Sequence, residues 1–386
     1  MTQAISESSP LRELLGRLDD LAPLCRGGAS EADRLARLPK SVVSALVQHG
    51  LFRLWVPESV GGFELDLPGA LQVYEAAARI DGSVGWAVMI GSGGGLFGAY
   101  LSAHAADSIY SRPDAVIAGS GAPDGRAERV PGGYRATGSW RYASGAHYAT
   151  TFTANCLVME AGVHVLGADG LPLIRAMAFD VQQVTVLQTW DTSGMRGTGS
   201  DDFEARDAFV PEQRSFSVFT DAPRETGPLY RLPFGVLTEL PVAAVSLGVA
   251  RHALDAFGAL ARRKKSAGAT QPLASDPLVQ GRFAESYATW QLVKAGLGAF
   301  ADRAWQAALA DRPLSPQELA EITAGCTHSV AYLRAAIGGL IELAGMTGIQ
   351  TDDELARAWR DLQASGAHGS VSPRRLMGAG EVLLGC

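Results

Sequence analysis

The hydrophobic period of this chain changes twice, and those two changes restrict its architecture more than any other feature. Up to about residue 110, apolar residues recur at helical spacing. Leu11, Leu14, Leu15 and Leu18 mark one run, and Val42, Val43, Leu46 and Val47 mark another that Gly50 stops. Leu67 to Ile80 and Ser83 to Leu101 read as two more helices, the second apolar nearly all round and therefore buried. Between about Ala115 and Arg214 the period shortens to two. Tyr134 to Tyr142, Thr151 to Met159 and Val181 to Gln188 alternate, with turn signals at Pro123-Asp124-Gly125, Pro131-Gly132-Gly133 and Ala168-Asp169-Gly170, and Pro211 closes the region. From Leu229 the helical period returns in Pro241 to Leu260, Pro277 to Ala310 and Pro316 to Ala344, long runs with short polar breaks, as in an antiparallel bundle. The reading is a multidomain α+β chain: a helical domain over 1–114, a β domain over 115–222 and a four-helix bundle over 223–386.

Composition narrows the function. Charged residues make up only 19% of the 386, well below the usual quarter, so buried subunit interfaces are expected. A formal net charge of -7, with no long basic run, argues against a nucleic-acid partner. Arg262, Arg263, Lys264 and Lys265 form one compact basic cluster, suited to a phosphate or a solvated helix end. Cys25, Cys156, Cys326 and Cys386 are scattered without metal-ligand spacing, which fits a reduced cytoplasmic protein. Met1 to Pro10 is polar and lacks the apolar core of a signal peptide, and windows such as Val242 to Val249 read as too short to span a membrane.

Four segments hold the candidate chemistry. Gly91-Ser92-Gly93-Gly94-Gly95 lies in a helical context, where glycine-mediated packing is a better account than phosphate binding. Trp140 to Ala146 runs off a strand into a glycine turn; its rings, hydroxyl and amides suit a flat heteroaromatic ligand, and an aromatic core strand fits equally well. Trp190 to Ser200 packs Trp, Arg, glycines and hydroxyls into eleven positions, either to hold a polar ligand edge or as an interdomain loop. Near the C-terminus Gly345-Met346-Thr347-Gly348, the Arg360-Asp361 pair and Gly366-Ala367-His368-Gly369 follow one another. There His368 is either a proton-transfer group on an irregular segment or a surface histidine.

Leu38 to Gly62, Trp140 to Gly145, "GMRGTGS" with Val210-Pro211, and "RAWRDLQASGAH" together resemble the acyl-CoA dehydrogenase superfamily across nearly the whole chain. Within it the likeness is greatest to the two-component flavin-dependent monooxygenases of the p-hydroxyphenylacetate hydroxylase, phenolic steroid hydroxylase and dibenzothiophene monooxygenase type. The resemblance implies an oxygenase component that takes reduced flavin, FMN or FAD, from a separate reductase. It implies oxygenation of a small aromatic or heteroatom-bearing molecule through a C4a-peroxyflavin, and a homotetramer built through the bundle.

By the same resemblance, Ser120, Trp140, Tyr142, Ala143 and Ser144 contact the flavin ring, and Arg263 (or Arg262) its phosphate. Met346 and Thr347 reach a neighbouring subunit's cofactor, and His368 stands at the reactive face. Ser144 and His368 are expected as catalytic donors, with Trp86, Ile90 and Trp190 around the substrate. A dehydrogenase would carry a glutamate where this chain has Ala364-Ser365-Gly366-Ala367-His368; the alternative dehydrogenase reading rests on bound FAD and Glu239 as base. A flavin-free binding or scaffold protein is the reading from another class. Trp86 and Ile90 replace the polar ring-bearing side chains of the dibenzothiophene enzymes.

Overall fold

A computed structural model describes residues 9–268 and 270–385, so most of the polar N-terminal stretch and Cys386 lie outside it. Five helices come first: α1 (Ser9–Leu35), α2 (Lys40–Gln48), α3 (Leu67–Ile80), α4 (Gly82–Gly93) and α5 (Ala103–Tyr110). The Asp66 carboxylate caps α3 through the Gly69 amide, and Asp81 caps α4 through the amides of Ser83 and Val84. The run expected as one helix from Ser83 to Leu101 ends at Gly93 and continues as a tighter 3-10 segment, Gly94–Ala99. A Cβ on Gly95 would lie 2.5 Å from the Val56 nitrogen, and one on Gly91 2.4 Å from the Phe52 ring. The glycine run therefore brings α4 and its extension flush against the Leu51 to Val56 segment.

The strands are β1 (Ile117–Val130), β2 (Gly133–Ala143), β3 (Thr151–Glu160), β4 (Val163–His164), β5 (Ile174–Asp180), β6 (Val184–Leu187), β7 (Asp201–Pro211) and β8 (Ser215–Phe216). They form one mixed sheet in the order β6-β7-β2-β1-β3-β5-β8, with β4 on β3. The pairing of β1 with β3 is parallel and the rest antiparallel. Pro123-Asp124-Gly125, expected as a turn, lies inside β1, where the register against β3 shifts between Ser120 and Gly125. A bulge absorbs the proline there without ending the strand.

Four helices follow as the bundle: α6 (Val236–Arg263), α7 (Pro277–Leu309), α8 (Pro316–Ala344) and α9 (Glu354–Ser365); α10 (Arg375–Leu384) packs on α8. Ser315 and Glu318 form a reciprocal cap at the start of α8. One hydrophobic cluster runs from Leu11 through α3 and α4 into α6, α7, α8 and α9, so the two helical regions share a core, while the sheet keeps its own around Trp140 and Phe152. The apolar stretches are longer than expected: α6 and the span Pro316–Ile349 are long and apolar enough to cross a membrane by length and composition. The α6 window is 83% buried, which makes it a core helix, whereas only 28% of the second is covered.

The three regions meet at Asp361 on α9. Its Oδ1 accepts the Met195 amide at 2.6 Å, and α9 lies so close to that loop that a Cβ on Gly194 would stand 2.0 Å from the Arg360 carbonyl oxygen. A Cβ on Gly82 would stand 2.7 Å from Asp361 Oδ2. Burial, then the charge of nearby Asp81, pushes the Asp361 carboxyl from 3.8 up to about 8, with the Met195 amide opposing. The folded chain thus keeps a proton that the unfolded chain releases. Its contribution to stability is full below 3.8 and is lost as pH rises through about 8. Asp361→Asn keeps an acceptor for Met195 and removes this titration. Urea midpoints between about pH 5 and pH 8 should fall with pH for the native chain and fall less for the variant; parallel curves would contradict the assignment.

Candidate active site

Below the junction lies a cavity of about 250 Å³ that every region helps to wall. The Leu51 to Val56 segment gives Trp55, α4 gives Met89 and Ile90, β1 gives Ser120, β3 gives Thr153 and Asn155, and α6 gives Leu237 and Thr238. Phe219 and Phe234 meet edge to face at 5.8 Å on its rim. His368 closes the side next to α9.

His368 leads the short turn Gly369–Val371, and its Nδ1 accepts the Ser370 amide at 3.3 Å. A nitrogen that accepts cannot bear the ring proton, so the neutral ring carries it on Nε2, which has no partner among the described residues. Burial lowers the His368 pKa from 6.5, and the ring is therefore uncharged at neutral pH. Trp86 packs edge-on against it at 5.3 Å. The site thus gains a neutral donor held by aromatic contact.

Behind Trp86 runs a chain of hydroxyls whose direction is fixed. Thr198 Oγ1 donates to the Met195 carbonyl at 2.8 Å, so the 2.7 Å contact with Ser200 must be donated by Ser200. The 2.7 Å contact between Ser200 and Ser144 must then be donated by Ser144, whose oxygen accepts the Trp86 indole N–H at 2.9 Å. Ser144 was expected to donate. Its proton is committed inward, and it offers a ligand only an acceptor lone pair.

Other expected residues fall into two groups. Ile90, Ser120 and His368 come together on the cavity wall, and Trp86 and Ser144 join them from behind. Trp140 departs from expectation. Its ring is fully buried in the sheet core, 5.2 Å from Phe203, and its N–H donates to the Asn155 carbonyl. Ala143 is buried with it, while Tyr142 is 62% exposed at a φ of 67° and meets Trp190 edge-on. Trp190 does not line the cavity; it donates to the Met195 carbonyl and belongs to the interdomain loop.

Arg262 and Arg263 are exposed at the far end of α6, roughly 30 Å from Val242 by helical rise. Lys264 Nζ joins that end to the turn of Met346 and Thr347, donating to the Ala344 carbonyl and the Thr347 hydroxyl. Met346 is 71% exposed. All four are too distant to serve the cavity of their own chain. Glu239 is also absent from the cavity wall: one oxygen pairs with Arg375 and the other accepts from Thr323 at 2.8 Å. Thr153 and Asn155 had no motif to mark them, while Trp55 lay within Leu38 to Gly62 and Thr198 and Ser200 within "GMRGTGS" without being singled out; the tertiary fold brings them out.

This geometry has close counterparts. The model of the acyl-CoA dehydrogenase N-terminal domain matches residues 22–108, and that of the C-terminal domain matches 240–373. The indole-3-acetate monooxygenase of Pseudomonas putida is 30% identical over 98% of this chain and 94% of its own. The flavin-dependent monooxygenase oxygenase subunit HsaA of Rhodococcus jostii is 30% identical over 95% and 97%. Among solved structures, XiaF from Streptomyces sp. in complex with FADH2 and glycerol superposes with a TM-score of 0.90 at 26% identity over 98% and 97% of the two chains. The chain belongs to the acyl-CoA dehydrogenase superfamily, within its group of flavin-dependent monooxygenase oxygenase components.

Proposed function

We propose that this chain binds reduced flavin delivered by a separate reductase and uses O2 to hydroxylate a small aromatic substrate in the cavity beside His368. The observation that carries the reading is the neutral Nε2–H of His368 on a predominantly apolar wall, where a dehydrogenase requires a carboxylate base. Glu239, the alternative base, is held by Arg375 and Thr323 away from that wall.

The residues fit a flavin ring. Its edge mixes N–H donors with carbonyl acceptors, and the site offers both kinds of partner: an acceptor at Ser144, donors at Ser120 and His368, and the Thr153 hydroxyl on the wall. Exposed Tyr142 stands beside Ser144 as a ring surface. Bound in reduced form, the flavin supplies the electrons that activate O2. His368 donates its Nε2–H as a hydrogen bond at the reacting atoms. Met89, Ile90, Leu237 and Phe219 exclude water from that step. Whether FMN or FAD is used turns on the phosphate end, for which Arg263, Met346 and Thr347 of a neighbouring subunit are the proposed partners. The three described cysteines are buried and unpaired, which supports work in the reducing cytoplasm.

A homotetramer through the bundle completes the reading. Support comes from the sparsely covered apolar helix Pro316–Ile349, from exposed Leu292 on α7 and Met377 on α10, and from the distance of Met346 and Thr347 to their own cavity. Sedimentation at micromolar concentration should give a single tetramer; a monomer would remove both the assembly and the roles of Met346 and Thr347.

His368→Ala should fold and bind reduced flavin while slowing product formation by ~100 to 10,000-fold. Hydrogen peroxide release per turnover should rise, because the hydrogen bond that keeps oxygen transfer coupled is gone. Normal coupling with lower thermal stability would instead make His368 a structural residue.

A further inference from the structure

Thr198, Ser200 and Ser144 stand in single file, buried at 1%, 3% and 8% exposure. The file starts at the Met195 carbonyl, a group that can only accept, and runs through two hydroxyl contacts of 2.7 Å. Buried this deeply, it takes its direction from protein partners, and every proton in it points back toward Met195. The Trp86 N–H fills one acceptor position of Ser144 at 2.9 Å and leaves its oxygen a single lone pair. The file is also held stiffly. The Gly145 amide donates to the Thr198 carbonyl at 2.9 Å, and a Cβ on Gly197 would stand 2.9 Å from the Ser83 side chain.

A ligand facing Ser144 therefore meets an acceptor that cannot turn into a donor while the file is intact. The two redox states of a flavin differ at that kind of contact. In the oxidised ring system N5 is a bare nitrogen that accepts a hydrogen bond. Two-electron reduction places hydrogen on N5 and makes it a donor, whereas the ring carbonyls accept in both states. An acceptor held against N5 pairs with reduced flavin. Against oxidised flavin it sets lone pair to lone pair, and two buried acceptors are left without partners.

We propose that Thr198 and Ser200, which are absent from the cavity lining, make the site selective for reduced over oxidised flavin by holding the Ser144 hydroxyl as an acceptor. The proposal deepens the reading of this region as a flavin site and rests on it. Both residues act through Ser144 and are positioning residues. Such selectivity suits an oxygenase fed by a separate reductase: oxidised flavin leaves after turnover, and reduced flavin takes its place.

The test measures binding of FMN and FAD to the whole protein by ultrafiltration, each oxidised in air and each reduced with dithionite under anaerobic conditions. Native protein should bind the reduced form ~10 to 100-fold more tightly than the oxidised form. The two-electron midpoint of the bound flavin then rises by about 30 mV per tenfold, readable from its absorbance without turnover. Thr198→Val keeps the size of the side chain and removes the hydroxyl that anchors the file. Ser200, deprived of its acceptor, turns its proton to Ser144, and Ser144 turns its own to the ligand. Oxidised flavin should then gain ~10-fold or more in affinity, and the selectivity should collapse. Thr198→Ser keeps the hydroxyl and should retain it. Unchanged selectivity in Thr198→Val, or equal weakening of both redox states, overturns the proposal, as does native protein that binds both forms alike. If the selectivity collapses as expected and no arene is oxygenated, the inference stands and the monooxygenase reading fails. If labelled oxygen enters an arene while both flavin forms bind alike, that reading stands and the inference fails.

Discussion

The hydrogen bond from the Met195 amide to the Asp361 carboxyl joins segments 166 residues apart, and much of the site is positioned around it. Met195 sits at a φ of 53°, and its carbonyl anchors both Thr198 and Trp190. Thr198 orients Ser200, Ser200 orients Ser144, and Ser144 receives Trp86 from α4, whose own start is capped by Asp81. Asp361 lies seven positions before His368, near the end of the helix that delivers it. One buried carboxyl thus sets loop, hydroxyl chain and histidine relative to one another. Two acids in one dry junction form an unfavourable arrangement that persists because one of them keeps its proton.

The cavity shows a division of labour set by charge. Ionic groups are gathered into the junction and into ties such as Glu239 with Arg375, while the described lining of the cavity carries no Asp, Glu, Lys or Arg. In such a low-dielectric space a single donor at His368 has more effect than it would in water. A carboxylate base on that wall would serve proton abstraction; a neutral imidazole serves hydrogen bonding to oxygen. On the proposed reading the superfamily scaffold is kept, and the loop after α9 carries an imidazole in place of a carboxylate.

Long elements were legible because their apolar faces and caps agree: Leu67–Ile80 and Pro316–Ala344 are the helices their periodicity indicated, and Thr151 begins its strand as alternation required. Legibility failed where tertiary packing outweighs local chemistry. Pro123-Asp124-Gly125 reads as a turn in isolation but is absorbed by a bulge in β1, because flanking residues pair with β3 on either side. Trp140 looks like a ligand platform beside Ser144, yet strand alternation turns its ring into the sheet core. Ser144 was expected as a donor, yet its proton points inward, since its direction is set by Thr198, fifty-four residues on.

The proposed reaction inserts one atom of O2 into an aromatic substrate beside His368. The most direct measurement is mass spectrometry of the product formed under 18O2 with reduced flavin and 2-naphthol. The account predicts a product heavier by one labelled oxygen, with the second atom leaving as labelled water. A product whose new oxygen comes from solvent, or conversion of an acyl thioester to its unsaturated form without oxygen incorporation, would contradict it.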